Sequence, residues 1–536
     1  MLKLLLHNPL IGRTNLVFFL NEIKETNMRL TLLFFLITTI TLKMQAQNQY
    51  TVPDYKAIES RNEYVHGNIY QKDFLVLKEL LIDVHPGFNS FYKKEEFKMQ
   101  FDSTYKYLEN VRSLTDAYFI FQKLLAIFND GHTSLVPLSA EKILPVGFAE
   151  FSNKIFVFKV GNELYKDILG DELVSINGVE IDTIFSRLNK FISADNQIKS
   201  KETLVYFLNN KSFLEKAMIL HSDSIRLCFT RNKKKIIPFI NQSENKWVSY
   251  VKFKKNPITY RKKDIFSYSI KDNICYLQWN NFYDSQSEKF LADMSKTRIR
   301  KFKDRFKENK DKSQLPSFKS FLDSLFSEIN SRNINTLIVD LRNNGGGNSL
   351  LGDQLLSYIT PNNNALHIEY KSYVKKSNFL FQIYPSRFRQ LKTKANCNIL
   401  DEELYTENSF SQKKIDSYFP KQKSPIYAQK VIFLSGKESF SSSVMLLTTI
   451  KDNKMYQIVG DKPSMKPTSF GDILFFKLPQ TKLTGFISTS FFERPDISLN
   501  EEESLVPDVE LGTTFNNFIN GVDPCWDWII ENYYMK

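Results

Sequence analysis

The stretch Val431–Ile450, VIFLSGKESFSSSVMLLTTI, decides how this chain is read. Val431–Leu434 is a short apolar run of buried-strand character. Ser435-Gly436 turns the chain. Ser439, Ser441, Ser442 and Ser443 follow, and Val444, Leu447 and Ile450 recur at helical spacing. A strand, a turn, a serine and a helix start are a common way to hold a nucleophilic hydroxyl. The turn exposes the side chain, and free N–H groups at the helix start can stabilise an oxyanion. Alone, the stretch reads as well as an ordinary serine-capped helix.

Its neighbours sharpen it. Upstream, Thr336–Leu341 (TLIVDL) is a continuous apolar run, as in a strand covered on both faces. It enters Arg342-Asn343-Asn344-Gly345-Gly346-Gly347, where three glycines let backbone N–H groups approach a ligand closely. Phosphate binding is the rival reading, but a lysine at P-loop spacing and a G-x-G-x-x-G pattern are both missing. Ile274–Trp279 is a further strand and Phe318 to about Ser331 a helix. Downstream come a strand at Tyr456–Val459, Gly460-Asp461-Lys462-Pro463-Ser464-Met465-Lys466-Pro467, a strand pair around Ile473–Leu478 and Gly485–Ser490, and Pro507-Asp508-Val509.

Further out, the pattern is helical from about Asp73. Phe74, Leu77, Leu80, Leu81 and Val84 share a face, as do Phe97, Phe101, Tyr105 and Leu108. Thr115 is the expected cap of a third helix, closed by Asn129-Asp130-Gly131-His132-Thr133 with Gly131 at its C-terminus. His85-Pro86-Gly87-Phe88 is the other break. From Val146 the period becomes two. Lys154–Val160 alternates, and Gly170–Ile181 reads as strand, Asn-Gly turn, strand. Ser224–Phe229 with Ile236–Ile240 suggests a closing hairpin, and this module resembles a PDZ domain, which captures a peptide at a sheet edge.

With 536 residues the chain exceeds one core. An apolar content of 42%, with 46 Phe and 25 Tyr, supports well-filled globular domains and excludes a disordered chain. Net charge is +13, partly from Lys296–Lys312, with nine basic and three acidic residues. No aromatic stacking platform accompanies that run, so nucleic acid is not an expected partner. Cys228, Cys275, Cys397 and Cys525 form no C-x-x-C pair and none sits at zinc-ligand spacing from a histidine, so no metal or cofactor is expected. Arg29, the apolar run Leu30–Leu42 and Lys43-Met44-Gln45-Ala46 describe a secretory signal peptide, too short to span a bilayer. Residues 28–46 are read as that signal, 1–27 as a mis-called upstream extension, and the mature chain as exported, periplasmic or extracellular, without stable membrane insertion.

The order VDLRNNGGG, GKESFSSS, IVGDKPSMKPTSFGD, VPDVEL resembles the catalytic domain of the S41 serine peptidases, which include C-terminal processing and tricorn core peptidases. HPGF and DGHTSL resemble secreted members of the tricorn-like branch. The resemblance implies an α+β multidomain protein: a helical N-terminal domain over 47–138, a PDZ-like β-rich domain over 139–245, and an α/β, crotonase-like ββα catalytic domain over 246–536 with insertions near 281–317 and 362–425. It implies an endopeptidase acting on peptides or unfolded protein through an acyl-enzyme on Ser441. The oxyanion donors would be the N–H of Ser442 with that of Gly346, or alternatively Gly345. The base would be His132 oriented by Glu501, with Glu502 and Glu503 adjacent. The alternatives are a Ser441–Lys466 dyad, as in the tail-specific processing branch, and a non-catalytic binding protein on the same fold. The chain departs from the family pattern at Ser464-Met465, Val444, Phe470 and Ser504.

Overall fold

The computed structural model describes residues 54–533 apart from 141, 221, 246, 250–263, 295–314, 361–368, 385–390, 392–393, 396, 398, 407–411, 423–426 and 428. The signal-like segment, the extension before it and the basic run 296–312 lie outside the described residues. The chain divides into two compact units: Ala140–Ile184 with Val205–Lys254, and Thr51–Ser139 with Phe185–Leu204 and Lys255–Lys536.

The larger unit begins with three helices: α1 (Ile69–Val84), α2 (Glu95–Tyr107) and α3 (Leu114–Ala126). Asn68 starts α1 earlier than the apolar pattern predicts. Its side chain accepts from Tyr70 and Gln71 while Gln71 reaches back, a reciprocal capping box. Ser113, not Thr115, caps α3, because its hydroxyl accepts the Asp116 N–H and Thr115 is already inside the helix. The exit from α3 uses Asn129 at φ 47, so Gly131 is not needed for a left-handed turn. The two-residue strand β1 (Ser134–Leu135) follows.

The smaller unit is an antiparallel sheet. Its main strands are β2 (Val146–Phe151), β3 (Lys154–Val160), β4 (Glu172–Ile176), β5 (Ser224–Phe229) and β6 (Lys234–Pro238). The order is β2-β3-β4-β5-β6, with Val248–Ser249 also pairing β3 and Val179–Glu180 pairing β4 across the Asn177-Gly178 turn. Helices α4 (Ile181–Asn189) and α5 (Gln197–Phe207) flank the segment 190–196.

The rest of the larger unit holds two six-stranded sheets. The first comprises β7 (Phe266–Lys271), β8 (Ile274–Trp279), β9 (Thr336–Asp340), β12 (Lys430–Ser435), β13 (Gln457–Gly460) and β16 (Val509–Glu510), in that order. Only β7 is antiparallel to its neighbour; the other pairs are parallel. β8 and β9 are buried along their whole length, which explains why they read as unbroken apolar runs. Helices α6 (Phe318–Ser331), α7 (Leu350–Ile359) and α8 (Ser442–Asp452) supply Leu322, Phe326, Leu355 and Leu447 to the core on one face, and α9 (Pro524–Tyr533) covers the other with Cys525 and Ile529. The second sheet includes β10 (Lys371–Lys375), β11 (Leu404–Thr406), β14 (Ser469–Lys477) and β15 (Thr484–Glu493). β15 pairs with β14, β10 and β1, so the chain just after the third helix joins the late strands. The helical segment expected as a separate domain therefore shares one unit with the catalytic sheet. All four cysteines are free thiols; burial pushes Cys275 and Cys525 up to about 12.

Candidate active site

Ser441 stands between β12 and α8 with φ 55 and ψ −128. A non-glycine residue in that region costs on the order of 1–3 kcal/mol and persists only where its surroundings enforce it. They do so here. Ser439 Oγ donates to Leu341 O at 2.7 Å and accepts the Gly436 N–H, the Phe440 N–H donates to Asn344 O at 3.0 Å, and the Ser441 N–H points at Met465 Sδ at 2.9 Å. Ser442 Oγ donates to Gly347 O at 2.8 Å, tying the helix start to the glycine turn.

The glycine turn comes within touching distance. A Cβ on Gly346, whose φ is +91, would lie 2.6 Å from Ser441 Cβ and 2.9 Å from Ser442 N. Gly346 is thus a spacer beside Ser441. Its N–H donates to Asn344 Oδ1 at 2.8 Å. The N–H groups of Ser442, Gly345 and Gly347 donate to no group among the described residues.

His132 reaches Ser441 from the loop after α3. Its Nε2 lies 3.2 Å from Ser441 Oγ, within catalytic hydrogen-bond reach, and its ring stacks on Phe440 with centroids 4.8 Å apart. Burial lowers its basicity below the ordinary histidine value; Asp130 and Asp472 oppose that and Lys199 adds to it. Nδ1 has no hydrogen-bond partner and lies 3.9 Å from Asp130 Oδ1.

Asp130 organises the loop. It is fully buried and accepts from the His132 N–H at 2.7 Å, Thr133 Oγ1 at 2.6 Å, Ser488 Oγ at 2.6 Å and His85 Nε2 at 3.3 Å. His85 Nδ1 accepts the Gly87 N–H, so Nε2 carries the proton it gives to Asp130. Burial pushes the Asp130 carboxyl up, but the His85 hydrogen bond and nearby charges prevail and hold it below the usual carboxylate range. The HPGF and DGHT segments therefore meet through one buried pair. On the other side of the loop, Asp195 accepts the Gly131 N–H at 3.2 Å. A Cβ on Gly131 would sit 2.4 Å from Asp195 Oδ2 and 3.0 Å from the Phe440 ring, so space, not helix termination, selects glycine there.

Two expected residues stand elsewhere. Glu501 is exposed and does not bond His132, since Nδ1 is unpartnered. Its neighbours explain why: Glu502 is drawn to buried Arg494 at 2.6 Å and Glu503 to Lys466 at 2.6 Å, leaving Glu501 outward. Lys466, in that ion pair, is not at hydrogen-bond distance from Ser441; the pair suits an ammonium, whereas a dyad base must be neutral. Sequence reasoning missed Asp130 as a partner of the histidine, although it stands two positions before it in the motif already singled out. It also missed Asp472, which closes the quoted motif IVGDKPSMKPTSFGD, and Asp195, which no local pattern marks.

The geometry is that of a hydrolase with an activated serine on an α/β domain. The profile of peptidase family S41 matches residues 273–510. Among solved structures, mature CPAF superposes with a TM-score of 0.57 at 14% identity, covering 86% of this chain and 95% of that one. Mature CPAF complexed with lactacystin gives 0.56 at 15% identity, covering 86% and 97%. The photosystem II D1 C-terminal processing protease gives 0.36 at 13% identity, covering 83% and 93%. No curated protein matches the sequence. At these identities the likeness to CPAF is one of fold; the family match over residues 273–510 gives the chain an S41 peptidase domain and makes it a serine-type peptidase.

Proposed function

We propose that this protein is an exported endopeptidase that cuts peptide bonds through an acyl-enzyme on Ser441, with His132 as general base. The observation that carries it is the 3.2 Å approach of His132 Nε2 to Ser441 Oγ, across 309 positions of sequence. Oγ attacks the scissile carbonyl as its proton passes to Nε2. The N–H of Ser442, with one from Gly345 or Gly347, receives the developing oxyanion, and each such donor is worth roughly a hundredfold or more. The imidazolium returns its proton to the leaving amine, and a water, deprotonated by the same nitrogen, releases the acid. Asp130, ionised and 3.9 Å from Nδ1, is the carboxylate that orients and compensates the ring, in place of Glu501.

The smaller unit is read as the PDZ-like module. β2 pairs only with β3 among the described strands, leaving an outer edge to which an extended substrate can add. Export rests on the signal-like run Leu30–Leu42. Among the described residues no helix is long and apolar enough to cross a membrane.

A serine-directed peptidyl phosphonate tests the reading. It should label Ser441, and Ser441→Ala should abolish both labelling and turnover of an unfolded protein. Labelling that survives Ser441→Ala, or its absence in correctly folded protein, would overturn the reading. N-terminal sequencing of the exported chain should begin at Gln47.

A further inference from the structure

Beside the His132 ring, three ligand-type groups converge. His132, Asp130 and Asp195 each present one metal-ligating atom, and these atoms all lie within 4.8 Å of one another. His132 is 9% exposed, with Nδ1 itself closed to solvent and unpartnered, and this nitrogen is 3.9 Å from Asp130 Oδ1. Asp130 and Asp195 are 0% and 4% exposed. Two carboxylates and an orphaned imidazole nitrogen thus share one nearly closed space.

We propose that this cluster is an inhibitory site for a zinc-like divalent cation, bound by Nδ1 of His132 and the carboxylates of Asp130 and Asp195. The donor set suits the ion: imidazole nitrogen and carboxylate oxygen both bind zinc at about 2.0–2.2 Å, so an ion between Nδ1 and Oδ1 needs little movement of either. The charges also suit it. Two carboxylates and a neutral ring balance a dication.

Inhibition follows from the tautomer. To accept the Ser441 proton at Nε2, a neutral His132 must carry its own proton on Nδ1. A cation on Nδ1 takes that lone pair and forces the proton onto Nε2, which then faces Ser441 Oγ as a donor and cannot act as base. The cation holds the enzyme in the wrong tautomer without occupying the space of the substrate. This inhibitory half rests on His132 being the base; the binding half does not.

Calorimetry with zinc chloride on the full protein carrying Ser441→Ala reads binding independently of catalysis. One equivalent should bind. Asp195→Asn, which can still accept the Gly131 N–H, should weaken binding by at least about tenfold, the scale on which even outer partners of a metal act. Substituting Co2+ should give the intense visible bands of a low-coordinate ion with a nitrogen ligand, and this holds whether or not the Asn variant folds. In the unsubstituted enzyme zinc should slow phosphonate labelling, and EDTA should restore it. No saturable binding, an aquo-like cobalt spectrum, or binding unchanged in a folded Asp195→Asn protein overturns the site. Binding that leaves labelling by an otherwise reactive enzyme unchanged overturns the tautomer mechanism.

Discussion

At the scale of single residues, the proposed mechanism depends on which nitrogen of His132 is free and when. The ring must be neutral to take a proton, and burial, the largest influence, moves its titration below the ordinary value near 6.5. kcat/KM should therefore rise with pH on a limb centred below about 6.5 and be flat through neutrality; a limb well above that value would contradict the assignment. His132→Ala should cost about 10²–10⁴ in kcat/KM, the usual range for losing a positioned acid–base group, while Lys466→Ala should leave most of it. Asp130→Asn should cost far more than Glu501→Gln in both turnover and thermal stability, because it places an amide donor where four donors converge on a buried carboxylate. The motifs that hold Ser441 and His132, which meet at 3.2 Å, were legible in the sequence because each has its own local pattern. The partner carboxylate was not, because which side chain faces Nδ1 depends on how Arg494 and Lys466 dispose of Glu502 and Glu503.

At the scale of elements, two loops are fitted against one strand–helix turn. The strands carrying them were legible, since β8, β9 and β12 are buried and read as apolar runs. The fit between the loops was not, because it is made by contacts that no periodicity encodes. Gly346→Ala would drive a methyl into Ser441 and Ser442, and Gly131→Ala would drive one into Asp195 and Phe440. Both should depress kcat more than KM, measured on a short peptide, since the loss is of nucleophile and base geometry. The departures from the family pattern also become coherent here. Val444 and Met465 pack with Phe440 as a small buried cluster beneath the histidine ring, so two unusual positions are one adjustment. Phe470, a further departure, lies against His85 with ring centroids 4.7 Å apart. Met465→Gly should loosen the Ser441 turn, and slower phosphonate labelling would show it.

At the scale of the molecule, the larger unit is closed by bonds between distant parts of the sequence. Buried Asp73 on α1 accepts from the N–H groups of Gln480 at 2.9 Å and Thr481 at 2.6 Å, and from the Thr481 hydroxyl. Asp83, at the end of the same helix, accepts from Ser377 Oγ at 2.5 Å and the Asn378 N–H at 3.1 Å. Asn89 and Lys93 reach Glu402 and Asp401. Together with the Asp130–Ser488 bond, these make the segment that carries His132 a structural part of the unit that carries Ser441. Burial raises the Asp73 carboxyl above its ordinary value, so the fold bears a charge it would rather neutralise, and the three donors offset that cost. Removing the acceptor strands those donors. Asp73→Ala should lower stability by about 2–4 kcal/mol, measured by denaturant unfolding, with an unchanged limiting rate in the protein that remains folded. Fluorescence of the tryptophans and loss of phosphonate reactivity should report the same transition midpoint. If reactivity were lost well before the tryptophan signal, the helical segment would be detaching by itself. The hydrogen bonds from α1 to the late strands would then contribute far less cohesion than their burial implies.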